Sequence, residues 1–282
     1  GAYTIEVVEP IRFMSDNLRS AHRPVVAGVQ LHWGQYVCTL GFNVDHAGGR
    51  SFITNSHCTN NQGTTGSTTY FQPLSSTNPT AIAVEAHDPA YVRNAPGCSR
   101  GKVCRTSDAA RALYQPGTES TRGRIAKTTG VNNGSLQVNG HFTITAQDNT
   151  TTAFAAGTTF HKVGRTTGWT SGTRDATCAT VNVSGTNIQL LCQTLVTNSG
   201  QVIVQGGDSG SPVFTRGSGD DVTLVGILWG GSGSGNLFVF SPLKQVQDEL
   251  GGMTATYDGS GGGTTDPPPD DDNGDDEEPA PC

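Results

Sequence analysis

Short apolar segments, each bounded by turn residues, recur along most of this chain. Examples are residues 25–31, 36–44, 51–55, 176–183, 188–196, 212–215, 223–229 and 237–240. The chain has 38 glycines and only 15% charged residues, a composition typical of short strands joined by many turns. One segment has a helix pattern, with Ser241 as the cap, Pro242 at the first helical position and Gly251 as the stop. The sequence therefore predicts an all-β fold with a single C-terminal helix.

A serine between glycines is the first candidate for chemistry. Residues 204–212 read VQGGDSGSP, which places Ser209 in a turn with Gly207 before it and Gly210 after it. Glycine permits a positive φ and a close approach of the substrate. A serine held in such a turn can present its hydroxyl while nearby backbone N–H groups converge on one point, as acyl transfer requires. The same short motif also occurs in plain surface turns, so it does not decide the function alone.

A histidine and an aspartate elsewhere in the chain could complete such a site. His57 follows an apolar segment and precedes Cys58, while Asp108 lies among small residues that could bury it. A nucleophilic serine needs a base, and the base needs an acid that fixes its tautomer. Asp88 is the rival acid, although the proline that follows it predicts an exposed turn.

The order His57, Asp108, Ser209 resembles the chymotrypsin-like serine proteases, and the resemblance covers about residues 25–250. Residues 163–169, VGRTTGW, are similar to the bacterial, streptogrisin-like branch. The resemblance implies two six-stranded antiparallel β-barrels, at about residues 25–118 and 119–257, followed by the helix. Residues 1–24 are then an N-terminal extension or a propeptide remnant. Residues 258–282, rich in glycine, proline and acidic side chains, are predicted to be a disordered linker or tail.

The resemblance implies a serine endopeptidase that forms an acyl-enzyme. His57 would be the base, Asp108 would orient it, and the N–H groups of Gly207 and Ser209 would form the oxyanion hole. The alternative is a catalytically inactive binding module on the same fold. An α/β-hydrolase esterase is excluded by the order of the three residues, because that fold places the serine first.

The resemblance also implies where the substrate binds. Ile203 would form the base of the pocket for the P1 residue, Gly230 and Gly231 would pair with the substrate backbone, and Asn236 would lie at the far wall. An apolar P1 residue of medium or large size is expected. The serine that usually precedes the tryptophan-glycine pair is missing: either Trp229 replaces it or one residue is deleted.

The family buries a cation beside the aspartate that precedes the nucleophile. In this chain that aspartate is Asp208, and Lys162 is the predicted partner, with Arg165 as the second candidate. Gln205 stands at the position of a cysteine that often braces the pocket rim.

Seven cysteines allow three pairs and leave one over. The resemblance pairs Cys38 with Cys58; Cys98 and Cys104 would close a small loop, and Cys178 and Cys192 would pair across a hairpin. The cysteine left over, Cys282, is a truncation point or an intermolecular thiol. Disulfides indicate an oxidising compartment, so we expect a secreted, extracellular protein whose signal peptide is already absent. The absence of a CxxC motif argues against a metal site.

The net charge of −7 is concentrated in one segment. Residues 259–282 contain eight acidic and no basic residues, and the remainder carries 17 basic against 16 acidic residues. Without a basic stripe we expect no nucleic-acid partner, and without a long apolar run no membrane span. A calcium loop at residues 270–278 is disfavoured, because Pro269 occupies the first ligand position. We therefore expect a monomer that needs no cofactor or metal and acts on proteins or peptides.

Overall fold

The computed structural model describes residues 16–259 of the chain, and within them it contains 18 strands and one α-helix. The predictions for Cys282, for the acidic run and for residues 1–15 lie outside the described residues. The strands are β1 (Val25–Ala27), β2 (Gln30–Trp33), β3 (Tyr36–Thr39), β4 (Phe42–His46), β5 (Gly49–Thr54), β6 (Thr69–Tyr70), β7 (Ala83–His87), β8 (Val92–Arg93), β9 (Val103–Arg105), β10 (Ala110–Tyr114), β11 (Ser120–Thr128), β12 (Val138–Gln147), β13 (Thr159–Gly164), β14 (Gly168–Asn182), β15 (Ile188–Thr197), β16 (Pro212–Arg216), β17 (Asp221–Gly231) and β18 (Leu237–Pro242). The helix α1 spans Leu243–Leu250, and Ser56–Cys58 form one turn of 3₁₀-helix.

The first barrel is built from β2 to β7 and β10. Antiparallel pairing runs in the order β4, β5, β10, β7 and β6, and β2 pairs with β3. β3 continues into β4 after two residues, and a backbone bridge between His32 and Phe71 joins β2 to the end of β6. When β3 and β4 are counted as one bent strand, the pairings close a ring of six strands.

The second barrel closes without such an interruption. β13 pairs with β14, β14 with β15, β15 with β18, β18 with β17, β17 with β16, and β16 with β13, and all six pairings are antiparallel. Two six-stranded antiparallel barrels followed by a helix confirm the fold class predicted from the sequence. Closure removes free sheet edges from each ring.

Two clusters of buried side chains fill the molecule. The larger one includes Phe42, Phe52 and Phe142, all fully buried, and Leu18, which brings the segment before β1 into the core. The smaller one lies in the second barrel. Each such side chain contributes roughly 1.5–3 kcal/mol by leaving water, so the burial of these two clusters stabilises the fold.

The helix begins one residue later than predicted. Pro242 still pairs with Gly226 as the last residue of β18, and the Ser241 hydroxyl makes no cap but bonds within the site described below. Gly251 ends the helix as predicted, with its N–H donating to the carbonyl of Gln247. Across residues 16–259, no helix is both long and apolar enough to cross a membrane.

Candidate active site

His57 is placed by the end of β5 and by a disulfide. The chain leaves β5 at Thr54 and turns through the 3₁₀ turn that contains His57. The fully buried Asn55 donates from Nδ2 to the carbonyl oxygen of Asp108 at 2.7 Å, and Ser56 N–H donates to the same oxygen at 3.3 Å. The backbone of Asp108 is therefore fixed to the turn that carries His57.

The imidazole of His57 contacts the carboxylate of Asp108 directly. Nδ1 of His57 hydrogen-bonds Oδ2 of Asp108, and the backbone N–H of His57 donates to Oδ1 at 3.3 Å. The Asp108 side chain is 2% exposed and that of His57 is 33% exposed. A buried acid thus holds one nitrogen of the imidazole and leaves the outer part of the ring accessible.

The two pKa values of this pair move apart. Burial alone would lower the pKa of His57, but the charge and hydrogen bond of Asp108 raise it above its ordinary value. Burial alone would raise the pKa of Asp108, but His57, Arg105 and Tyr91 hold it below its ordinary value. The pair therefore favours an ionised aspartate and a histidine that can take up a proton.

Further groups, which the sequence analysis missed, surround Asp108. The hydroxyl of Tyr91 donates to Oδ1 at 3.1 Å, and Nε2 of Gln62 reaches the same oxygen at 3.4 Å. The backbone N–H of Asp108 donates to the Ser241 hydroxyl, which in turn donates to Gln193. No motif or periodicity marks these residues, because their role depends on contacts across long sequence separations.

Asp88, the alternative candidate for the acid, binds groups other than the His57 imidazole. It is buried, so the prediction of an exposed turn was wrong. Its carboxylate accepts from the guanidinium of Arg105 and the N–H of Gly63, each at 2.8 Å, and from the Ser56 hydroxyl. The buried Arg105 supplies the compensating charge that permits a carboxylate inside the protein.

Ser209 lies in a turn whose carbonyl groups are hydrogen-bonded by Thr39. Gly207 and Gly210 have φ values of +95° and +90°, where a side chain would be strained. The Thr39 N–H donates to the Ser209 carbonyl at 2.7 Å, and the Thr39 hydroxyl donates to the Gly207 carbonyl at 2.9 Å. Within residues 16–259 the N–H groups of Gly207 and Ser209 have no protein acceptor, so both can donate to an incoming oxyanion.

Asp208 anchors the same turn to the interior of the protein. It is fully buried against the fully buried Lys162, with Nζ 3.2 Å from Oδ2, as predicted from the resemblance. Its oxygens also accept from the N–H groups of Thr166, Thr167 and Gln205. Arg165, the second candidate, donates instead to Gln30 and to Thr166.

A disulfide and a hydrogen bond connect the segment that contains His57 to the turn that contains Ser209. Cys58, next to His57, forms a disulfide with Cys38, and Thr39, next to Cys38, donates to Ser209. His57 and Asp108 line a groove of about 560 Å³, and Ser209 lines a neighbouring recess of about 140 Å³. The groove and the recess share Gly230, Gly231 and Ser232 as a wall. The groove lined by His57 and Asp108 and the recess lined by Ser209 are thus adjacent and share one wall.

The residues predicted to bind substrate lie in different places. Gly230 and Gly231 line both depressions, but Ile203 is fully buried in the core and does not line the recess, where its neighbour Val204 is found. Asn236 is exposed and bonds Ser232 and Ser234.

The segment around Trp229 supplies no hydroxyl to Asp108. Leu228, the residue before Trp229, is fully buried and pairs with Phe240, so it offers no hydroxyl to Asp108. Trp229 donates from Nε1 to Gln193 at 2.8 Å. The support of Asp108 therefore comes from outside this segment.

Disulfides join Cys38 to Cys58, Cys98 to Cys104 and Cys178 to Cys192, the pairs expected from the sequence. Cys38, His57 and Cys58 bring possible metal ligands together, but both sulfurs are in a disulfide and Nδ1 of His57 is bonded to Asp108. This group is therefore not available to bind a metal ion.

Comparison with solved structures agrees with this fold. Protease A of Thermobifida fusca is 21% identical with a TM-score of 0.58, covering 83% of this chain and 98% of that one. A serine protease described as specific for glutamic acid, with a histidine triad in substrate binding, is 25% identical with a TM-score of 0.57, covering 82% and 100%. The chymotrypsin of Cellulomonas bogoriensis is 23% identical with a TM-score of 0.55, covering 83% and 99%.

These structural neighbours are bacterial chymotrypsin-like serine proteases, which confirms the resemblance predicted from the sequence. No protein-family model matches the chain, and no curated protein matches its sequence.

Proposed function

We propose that the chain is a secreted serine endopeptidase, with residues 25–257 as its protease domain. The observation that carries this proposal is the His57–Asp108 pair, linked through a disulfide and Thr39 to the Ser209 turn with its two unengaged N–H groups. Three disulfides support an oxidising, extracellular location.

The reaction follows from the roles of these groups. Ser209 Oγ attacks the carbonyl carbon of the peptide bond while its proton passes to Nε2 of His57. The N–H groups of Gly207 and Ser209 stabilise the oxyanion, and Asp108 stabilises the imidazolium. His57 then returns the proton to the leaving amine, the C–N bond breaks, and an acyl-enzyme forms. Water, deprotonated by His57, hydrolyses this ester and restores Ser209.

The recess beside Ser209 supports an apolar P1 residue. None of its lining residues is charged: they are Val204, Gln205, Gly206, Ser209, Leu228, Gly230, Gly231 and Ser232. Burying an unpaired charge there would cost several kcal/mol, whereas burial of an apolar side chain contributes roughly 1.5–3 kcal/mol. The structural neighbour described as specific for glutamic acid uses histidines in substrate binding. The recess of this chain has no histidine in its lining.

A peptide-library cleavage profile tests both parts of the proposal. We expect cleavage after residues such as Leu, Met, Phe or Tyr, and none in the Ser209→Ala variant, which changes only an accessible hydroxyl. Dominant cleavage after Lys, Arg, Asp or Glu would contradict the assigned recess. An inert wild-type protein that still binds the peptides would favour the binding module instead.

A further inference from the structure

The two oxygens of Asp108 face different groups. Oδ2 bonds the imidazole of His57. Oδ1 accepts from the Tyr91 hydroxyl at 3.1 Å, and at longer distances from the backbone N–H of His57 and from Gln62. Nε2 of Gln62 donates to the Tyr91 oxygen at 2.8 Å. Gln62, Tyr91 and Asp108 thus form a directed chain of hydrogen bonds that ends on the oxygen turned away from the imidazole ring.

The ring of Tyr91 is fixed on both sides. At Gly63, an added Cβ would lie 2.4 Å from a ring carbon of Tyr91, so only glycine leaves room for the ring. The guanidinium carbon of Arg105 lies 5.1 Å from the ring centroid, a cation–π distance. Arg105 is itself held by Asp88 and Glu249. The packing of the ring therefore fixes the position of the Tyr91 hydroxyl beside Asp108.

The Tyr91 hydroxyl stays protonated and can therefore donate. Burial raises the pKa of Tyr91 well above its ordinary value, and the nearby Asp108 charge acts in the same direction. A neutral phenol must donate to an ionised carboxylate, since the carboxylate can only accept.

We propose that Tyr91, itself held by Gln62, is a positioning residue that orients the Asp108 carboxylate towards His57. This inference rests on the proposed function, because it assigns a role within the same site. It adds a residue that neither the sequence motifs nor the fold comparison assigns.

Tyr91→Phe tests the inference, because it keeps the ring and removes only the donor. We expect kcat to fall about tenfold, the loss typical of one hydrogen bond to a charged group, while KM stays within about twofold. Without this donor the carboxylate holds the imidazolium proton more tightly, so the acidic limb of kcat/KM should move to higher pH. A Tyr91→Phe variant with wild-type kcat and pH profile would overturn the inference.

Tyr114→Phe is the matched control. It also removes a tyrosine hydroxyl, one that is buried and donates to Asn43 Oδ1 at 2.6 Å rather than to Asp108. We expect it to lower the free energy of unfolding and to leave kcat and the acidic limb unchanged. An equal kinetic effect in both variants would reduce Tyr91 to a structural residue and so overturn the inference.

A titration of His57 by NMR separates this inference from the proposed function. The His57 pKa in Tyr91→Phe should be higher than in the wild type, and the Nδ1–H resonance should shift, whether or not the protein cleaves peptides. Gln62 is exposed, so Gln62→Ala retains the fold and should move the same pKa by a smaller amount. An unchanged His57 pKa in both variants would refute the inference. If the wild type cleaves no peptide but Tyr91→Phe still raises the His57 pKa, only the proposed function is refuted.

Discussion

The electrostatics of the site depend on a single carboxylate. Asp108 is almost fully buried, yet its pKa lies below the ordinary value because His57, Arg105 and Tyr91 favour the ionised form. In return it raises the pKa of His57. This interaction stabilises the fold only while His57 is protonated. Its contribution is full below about pH 6.5 and is lost as the pH rises through the raised pKa.

Catalysis has the opposite pH requirement, because the base must be neutral. In the wild type we therefore expect kcat/KM to rise with pH through a limb above about 6.5, the ordinary histidine pKa. In Asp108→Asn this limb should move to lower pH, and kcat should fall by roughly 10³–10⁴, because the imidazole tautomer is no longer fixed. A pH–rate profile measures both effects. A variant within about tenfold of the wild type would show that another group orients His57.

At the scale of elements, the nucleophile turn is held by a strand on one side and a buried ion pair on the other. Thr39, at the end of β3, bonds two carbonyls of the turn, and Asp208 bonds Lys162 of β13. Both contacts direct the backbone carbonyls and the Asp208 side chain inward. Within residues 16–259, the N–H groups of the half-buried Gly207 and Ser209 have no protein acceptor.

Lys162→Met tests the role of the ion pair. Removing the cation leaves Asp208 as an uncompensated buried charge, which should lower the free energy of unfolding by about 3–5 kcal/mol and reduce kcat. Lys127→Met is the matched control, because Lys127 pairs with Asp220 while both side chains are partly exposed, and we expect a loss of at most about 1 kcal/mol. Chemical denaturation measures both. Equal losses in the two variants would mean that the pair does not support the turn.

The helix shows why local signals can mislead within an element. The cap pattern at Ser241 is real in the sequence, but the hydroxyl accepts from the N–H of Asp108, 133 residues away in the chain. A local pattern contains no information on a partner that only the tertiary fold brings near.

At the scale of the whole molecule, features with a local sequence pattern could be predicted, whereas contacts that only the tertiary fold creates could not. Short apolar strands and glycine turns along the chain predicted an all-β fold. The order His57, Asp108, Ser209 gave the resemblance that implied the two barrels and the candidate site. The support of Asp108 by Tyr91 and Gln62 was not visible, because single polar residues in loops have no pattern. Ile203 was assigned to the pocket by its offset from Ser209, but its side chain points into the core of the second barrel.

The central claim is that Ser209 is the activated nucleophile of this fold. Incubation with a fluorophosphonate probe, followed by peptide mapping, tests it most directly, because the probe reacts only with an activated serine beside an oxyanion hole. We expect one label, on Ser209, that disappears in Ser209→Ala and is strongly slowed in Asp108→Asn. No labelling of the folded wild type, or a label on another serine, would contradict the account.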